Sequence, residues 1–78
     1  MNFLSLNRIL KRKAKEFSRS SSIDEKNIYD GMKYISLLGL SKKQIFKATE
    51  KALIYCLRYN ESLISVLNTL ISFKKINR

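Results

Sequence analysis

Apolar residues return every three or four positions along nearly the whole chain, and no stretch alternates with period two. The pattern predicts helices and no strands. Phe3, Leu6, Leu10, Ala14 and Phe17 form one stripe, widened by Ile9, with Arg8, Lys11, Arg12, Lys13 and Lys15 opposite. This is an amphipathic helix over about residues 3–17. The run "SRSSS" at 18–22 reads as a loop.

A second helix, over about 23–38, is marked by Ser22 followed three residues later by Glu25, the spacing of a capping box, with Asp24 also suited to the positive end of the helix dipole. Ile28, Met32, Ile35 and Leu38 line its apolar face. Gly39 stands where a helix ends in a left-handed residue, a conformation glycine adopts without steric cost. Ser41 with Gln44 makes a second capping box and starts a third helix, over about 42–58, whose apolar face is Ile45, Ala48, Ala52 and Cys56. Leu63, Val66, Leu67, Leu70 and Phe73 give a fourth, over about 61–75, with Lys74, Lys75 and Arg78 suited to its end.

The polar interval "RYNES" and the capping residue Asn60 place a break near 59–61. The two apolar stripes are nearly in phase, so the alternative is one helix from 42 to 74, about 50 Å long at 1.5 Å per residue. The expected architecture is all-α: a single helical domain over 1–78, a small bundle of three to four helices joined by short connections. A chain of this length buries only about 60% of the surface it exposes when unfolded.

Charge changes the picture most. Sixteen Lys and Arg face six Asp and Glu, a formal charge of +10. Self-repulsion on that scale points to an anionic partner. Nucleic acid, DNA rather than RNA, or an acidic protein is expected, and an anionic membrane surface is the remaining candidate. No apolar run approaches the roughly 18 residues of a membrane span. The opening "MNFLSL" is too short for a secretory hydrophobic region. Residues 1–22, amphipathic and serine-rich, also fit a mitochondrial-type presequence, and that alternative stays open.

Chemistry is sparse. The chain has no histidine and one cysteine, so neither an internal disulfide nor a zinc quartet can form. A reducing, cytoplasmic setting fits best. Cys56 reads as a small apolar residue on a buried face, or else as a thiol for cross-linking or redox sensing. With only Gly31 and Gly39, no glycine loop can cradle a phosphate. The acids fall where capping or solvation explains them, so no carboxylate pair suggests acid–base catalysis. No enzymatic activity, cofactor or metal is expected.

Three features bear on binding. Arg8, Lys11, Arg12 and Lys15 share one side of the first helix, a geometry that tracks phosphates or lies on anionic lipid. The stretch "LLGLSKKQIFK", Leu37 to Lys47, resembles the helix-turn-helix of Fis-type bacterial DNA-binding domains, with Leu38 and Leu40 flanking the glycine, Ser41 capping, and Ile45 and Phe46 at the aliphatic and aromatic positions. Tyr34 and Ile35 stand where such motifs usually carry small residues, and Thr49 takes the later apolar position. The resemblance implies that Lys42, Lys43, Gln44 and Lys47 face a major groove or its phosphates, where Gln reads adenine and Lys guanine. Its turn is also one that any tight helix corner uses. Last, Tyr29, Tyr34, Tyr55 and Tyr59 alternate with Lys26, Lys33 and Arg58, a mixture that stacks on single-stranded bases, although tyrosines at helix borders also serve simply as packing.

Two functions are therefore expected to compete. The first is a small basic nucleic-acid-binding protein, a transcriptional or replication regulator using the first and third helices. The second is a non-catalytic helical module, of chaperone, anti-partner or immunity type, that meets an acidic protein. The apolar C-terminal helix, with Ile64 and Ile71 off its main stripe, also suggests a homodimer contact.

Overall fold

A computed structural model describes the backbone of residues 3–76 and the side chains of residues 5–72. Its elements are four helices: α1 (Phe3–Ser21), α2 (Glu25–Ser36), α3 (Lys42–Tyr59) and α4 (Leu63–Ile76). The all-α bundle expected from the sequence is the observed fold, and among the described residues there is no strand. No described helix is long and apolar enough to cross a membrane.

Side-chain and backbone hydrogen bonds set the helix ends. Gly39 has φ +88° and closes the α2–α3 corner as expected. Ser41 and Gln44 make the full capping box: the Ser41 N–H donates to Gln44 Oε1 at 2.9 Å, and the Gln44 N–H donates to Ser41 Oγ at 3.2 Å. The break between α3 and α4 is also present, but Asn60 does not start α4. It ends α3 in the left-handed conformation, which asparagine tolerates better than most residues (φ 54°, ψ 44°). Ser62 starts α4 instead, accepting from the Ser65 N–H on its hydroxyl and from the Val66 N–H on its carbonyl.

The serine run is not a loop. α1 continues to Ser21, and Ser21 Oγ donates to the Phe17 carbonyl at 2.7 Å, so the hydroxyls bond back onto the helix that carries them. Ser22 belongs to the end of α1, at φ 64°, with its N–H donating to the Ser18 carbonyl. The expected box of Ser22 with Glu25 is replaced by Asp24, whose carboxylate accepts from the Asn27 N–H at 3.3 Å. A charged acceptor at the positive end of the dipole is the stronger cap.

α2 and α3 each pack against all three other helices, while among the described residues α1 and α4 do not approach one another. The chain is a slab of 32 × 32 × 15 Å between Cα atoms. The core joins Leu10, Ala14 and Phe17 of α1 to Ile28, Met32 and Ile35 of α2. It continues through Ile45, Ala52, Leu53 and Cys56 of α3 to Leu63, Val66 and Leu67 of α4. Leu38, expected in the core, is 49% exposed, and Leu37 beside it is more open still. Leu37 keeps helical dihedrals, but the Leu38 and Gly39 N–H groups donate to the carbonyls three residues back, a tighter turn that rotates Leu38 off the α2 stripe. Phe3 and Phe73 lie outside the residues whose side chains are described.

Gly31 shows how closely α2 and α4 approach. A Cβ there would lie 3.0 Å from Leu67 Cδ1 and 3.1 Å from Leu63 Cδ2. Gly31 thus faces the leucines of α4, while Ile35, fully buried, and Tyr34, half-buried, are the larger residues α2 carries near its end.

Candidate nucleic-acid interface

On α1, at about 100° per residue, Arg8, Lys11, Arg12 and Lys15 fall opposite the buried Leu10, Ala14 and Phe17, and all four are exposed. Arg19, one turn beyond Lys15 and also exposed, extends the same stripe; its i+4 spacing is the signal for it, and the serines around it, which read as a loop, hide that signal. From Arg8 to Arg19 the stripe runs about 16 Å at 1.5 Å per residue.

Lys13 does not belong to it. That side chain is partly buried, 3.5 Å from Glu16, with its Nζ 5.1 Å from the Phe17 ring centroid and 5.3 Å from that of Phe46. It marks the seam where α1 meets α3. Lys11 leans the other way, its Nζ 5.8 Å from the Tyr29 ring on α2, and Lys33 approaches the same ring at 5.9 Å. Among the described residues Lys13–Glu16 is the one ion pair, so the charge of the α1 stripe has no internal counterion.

Lys42, Lys43, Gln44 and Lys47 are all exposed at the start of α3. The first turn contains no acid, whereas α2 begins on Asp24 and Glu25. Lysines at the positive end of a helix dipole are electrostatically unfavourable until an anion arrives. Gln44 is less free than its exposure implies, because its side-chain oxygen is held by the Ser41 N–H. Bidentate reading of adenine needs both that oxygen and the amide nitrogen, and would break the cap.

The structure brings the α1 residues into one line and the α3 residues to one helix start. It does not merge them into one cluster. The α1 stripe extends from the α2 flank to the back of the helix, away from the Lys13–Phe46 seam. Nor do the four tyrosines form one stacking platform: Tyr29 lies between two lysines, Tyr34 donates its hydroxyl to Asn68 Oδ1, and Tyr55 pairs with Tyr59 at a ring distance of 5.5 Å.

Thr49 is fully buried, and its Oγ1 has no hydrogen-bond partner. Cys56 is buried too, and burial, with the Glu61 carboxylate adding to it, raises its thiol pKa, which keeps it protonated and unreactive at neutral pH.

Compared with protein-family models, curated proteins and solved structures, the chain matches none of them.

Proposed function

We propose that this protein binds nucleic acid, with duplex DNA favoured, and acts as a small regulator of transcription or replication. It grips the phosphate backbone through Arg8, Lys11, Arg12 and Lys15 of α1 and through Lys42, Lys43 and Lys47 at the start of α3. The observation that carries this reading is the exposed α1 stripe, which has no internal counterion among the described residues. Lysines gathered at the dipole-positive end of α3 support it, because both features are costly alone and favourable against phosphate. Base reading by Gln44 is a minor part, since its oxygen closes the capping box.

A salt titration of binding to mixed-sequence duplex is the test. Each phosphate neutralised contributes about −0.9 to the log–log slope, so a slope of about −4 or steeper is expected. Absence of any retardation of duplex or single strand at about 50 mM salt would overturn the proposal. Replacing Lys43, Gln44 and Lys47 by Ala should weaken binding uniformly across sequences. Loss of sequence preference would instead make α3 a recognition helix in the sense of the Fis-type resemblance.

A further inference from the structure

Two helix faces in this molecule are basic, and they differ in what stands between the charges. On the described part of α1 no large apolar side chain is exposed, so the stripe from Arg8 to Arg19 presents charge alone. The outward side of α3 is mixed. At about 100° per residue Lys43, Lys47, Glu50, Lys51, Leu57 and Arg58 all fall within about 60° of Ile54. Ile45, Ala52 and Cys56, which are buried, lie on the opposite side. Every residue of this strip is exposed, with Ile54 57% open and Leu57 59%. From Lys43 to Arg58 it runs about 23 Å at 1.5 Å per residue. Its net charge is +3, from Lys43, Lys47, Lys51 and Arg58 against Glu50. Among the described residues no ion pair forms within it.

We infer that this strip of α3 docks the protein on an anionic membrane surface. Ile54 and Leu57 enter the acyl boundary, and Lys43, Lys47, Lys51 and Arg58 meet the lipid headgroups. Charge complementarity selects an anionic occupant, and the two open aliphatic side chains select lipid among anions. A sugar–phosphate backbone offers nothing apolar to isoleucine or leucine. A bilayer offers both layers in the order the strip needs, charge at the headgroups and hydrocarbon about 5–10 Å beneath them. The long stems of lysine and arginine keep their charges at headgroup level while the helix sinks to the depth of Ile54. Shape agrees, because the outward side of a single helix is a ridge, to which a lipid surface conforms, whereas a helical peptide docks in a groove. A second copy would set this net positive charge against itself. The α1 stripe, with charge alone, suits a phosphate polymer; the α3 strip suits lipid. Lys43 and Lys47 are shared with the nucleic-acid reading, so duplex and membrane compete for them.

The inference does not rest on the nucleic-acid reading, and its test is separate. The full chain, freed of nucleic acid, is co-sedimented with phosphatidylcholine vesicles containing about 30% phosphatidylserine. Binding is expected there, and at least about tenfold weaker binding to phosphatidylcholine alone. Ile54→Ser with Leu57→Ser, both at exposed positions, should weaken vesicle binding about tenfold or more. Helical circular dichroism and duplex binding should be unchanged in that variant. Glu50→Gln should strengthen vesicle binding about fivefold, the effect of one charge at an anionic surface. The chain has no tryptophan, so Ile54→Trp reports depth. Its emission should shift to the blue on these vesicles and be quenched by lipids brominated in the acyl chain. Vesicle binding indifferent to the serine pair would mean adsorption through α1 charge, and overturns the proposal. No vesicle binding, equal binding to both vesicle types, or a blue shift produced equally by duplex DNA would do the same. Self-association without vesicles, abolished by the serine pair, would give the strip to a second copy instead. Failure of the wild type to bind duplex bears on the nucleic-acid reading alone.

Discussion

From Met1 to Ala52 twelve Lys and Arg face five Asp and Glu, whereas from Leu53 to Ser72 one base faces one acid. The same helix carries both characters. The first turns of α3 expose Lys42, Lys43 and Lys47; its last turns expose Ile54, Leu57 and Tyr59. Its core face runs unbroken beneath, through Ile45, Thr49, Ala52, Leu53 and Cys56. The difference teaches that interior and exterior of a helix are set independently. One continuous buried stripe fixes where α3 sits, and its outer residues change from lysine to isoleucine, leucine and tyrosine without disturbing it.

The largest expected effect lies on the basic half. Replacing Arg8, Lys11, Arg12 and Lys15 together by Gln should reduce the salt slope of duplex binding by about 3 to 4. If each contact is worth about 1 kcal/mol, affinity falls on the order of 1,000-fold at low salt. All four side chains are exposed, so the urea midpoint should hold or rise as repulsion is relieved. An unchanged slope would mean that the basic half is not the binding surface.

Next in size is the joint between the halves. Gly31→Leu drives a side chain into Leu67 and Leu63 and should destabilise the fold by about 2 to 3 kcal/mol in urea unfolding. Gly31→Ala should be much milder, since only the tips of flexible leucines must move and alanine favours helix by about 1 kcal/mol. Equal losses for the two variants would show that α2 and α4 are not in close contact.

The smallest effect belongs to the shared core. Thr49→Val removes a buried hydroxyl that has no partner and keeps the shape, and should stabilise by about 1 kcal/mol. Nucleic-acid binding should be unaltered, because Thr49 does not reach the surface. A destabilised valine variant would reveal a partner for that hydroxyl.

Much of the fold was legible because its signals are short-range. The turn at Gly39, the capping box of Ser41 with Gln44 and the break before α4 depend on residues within a few positions of one another. The misreadings at Ser22 and Asn60 were also local, and each exchanged the end of one helix for the start of the next. A serine or an asparagine serves either role, and the choice depends on which neighbour supplies the better acceptor. The candidate interface was legible at Arg8, Lys11, Arg12 and Lys15, since a period of 3.6 places them opposite the apolar stripe.

Local sequence sets that the chain is helical, roughly where each helix begins and ends, which face of each helix is apolar, and that most of the positive charge falls between Arg8 and Lys51. Only the tertiary structure decided that Lys13 packs on Phe46, that Gln44 is tied to its cap, that Tyr34 reaches Asn68, and that Gly31 receives α4. It also decided that Ile54 and Leu57 stay open while Leu53 is covered. The physical reason is one of range. Hydrogen-bonded caps and helical period act between residues a turn apart, whereas burial of a flank depends on which distant helix docks beside it. α2 and α3 each pack against all three other helices, and Ile54 and Leu57 fall on the side of α3 that none of them covers.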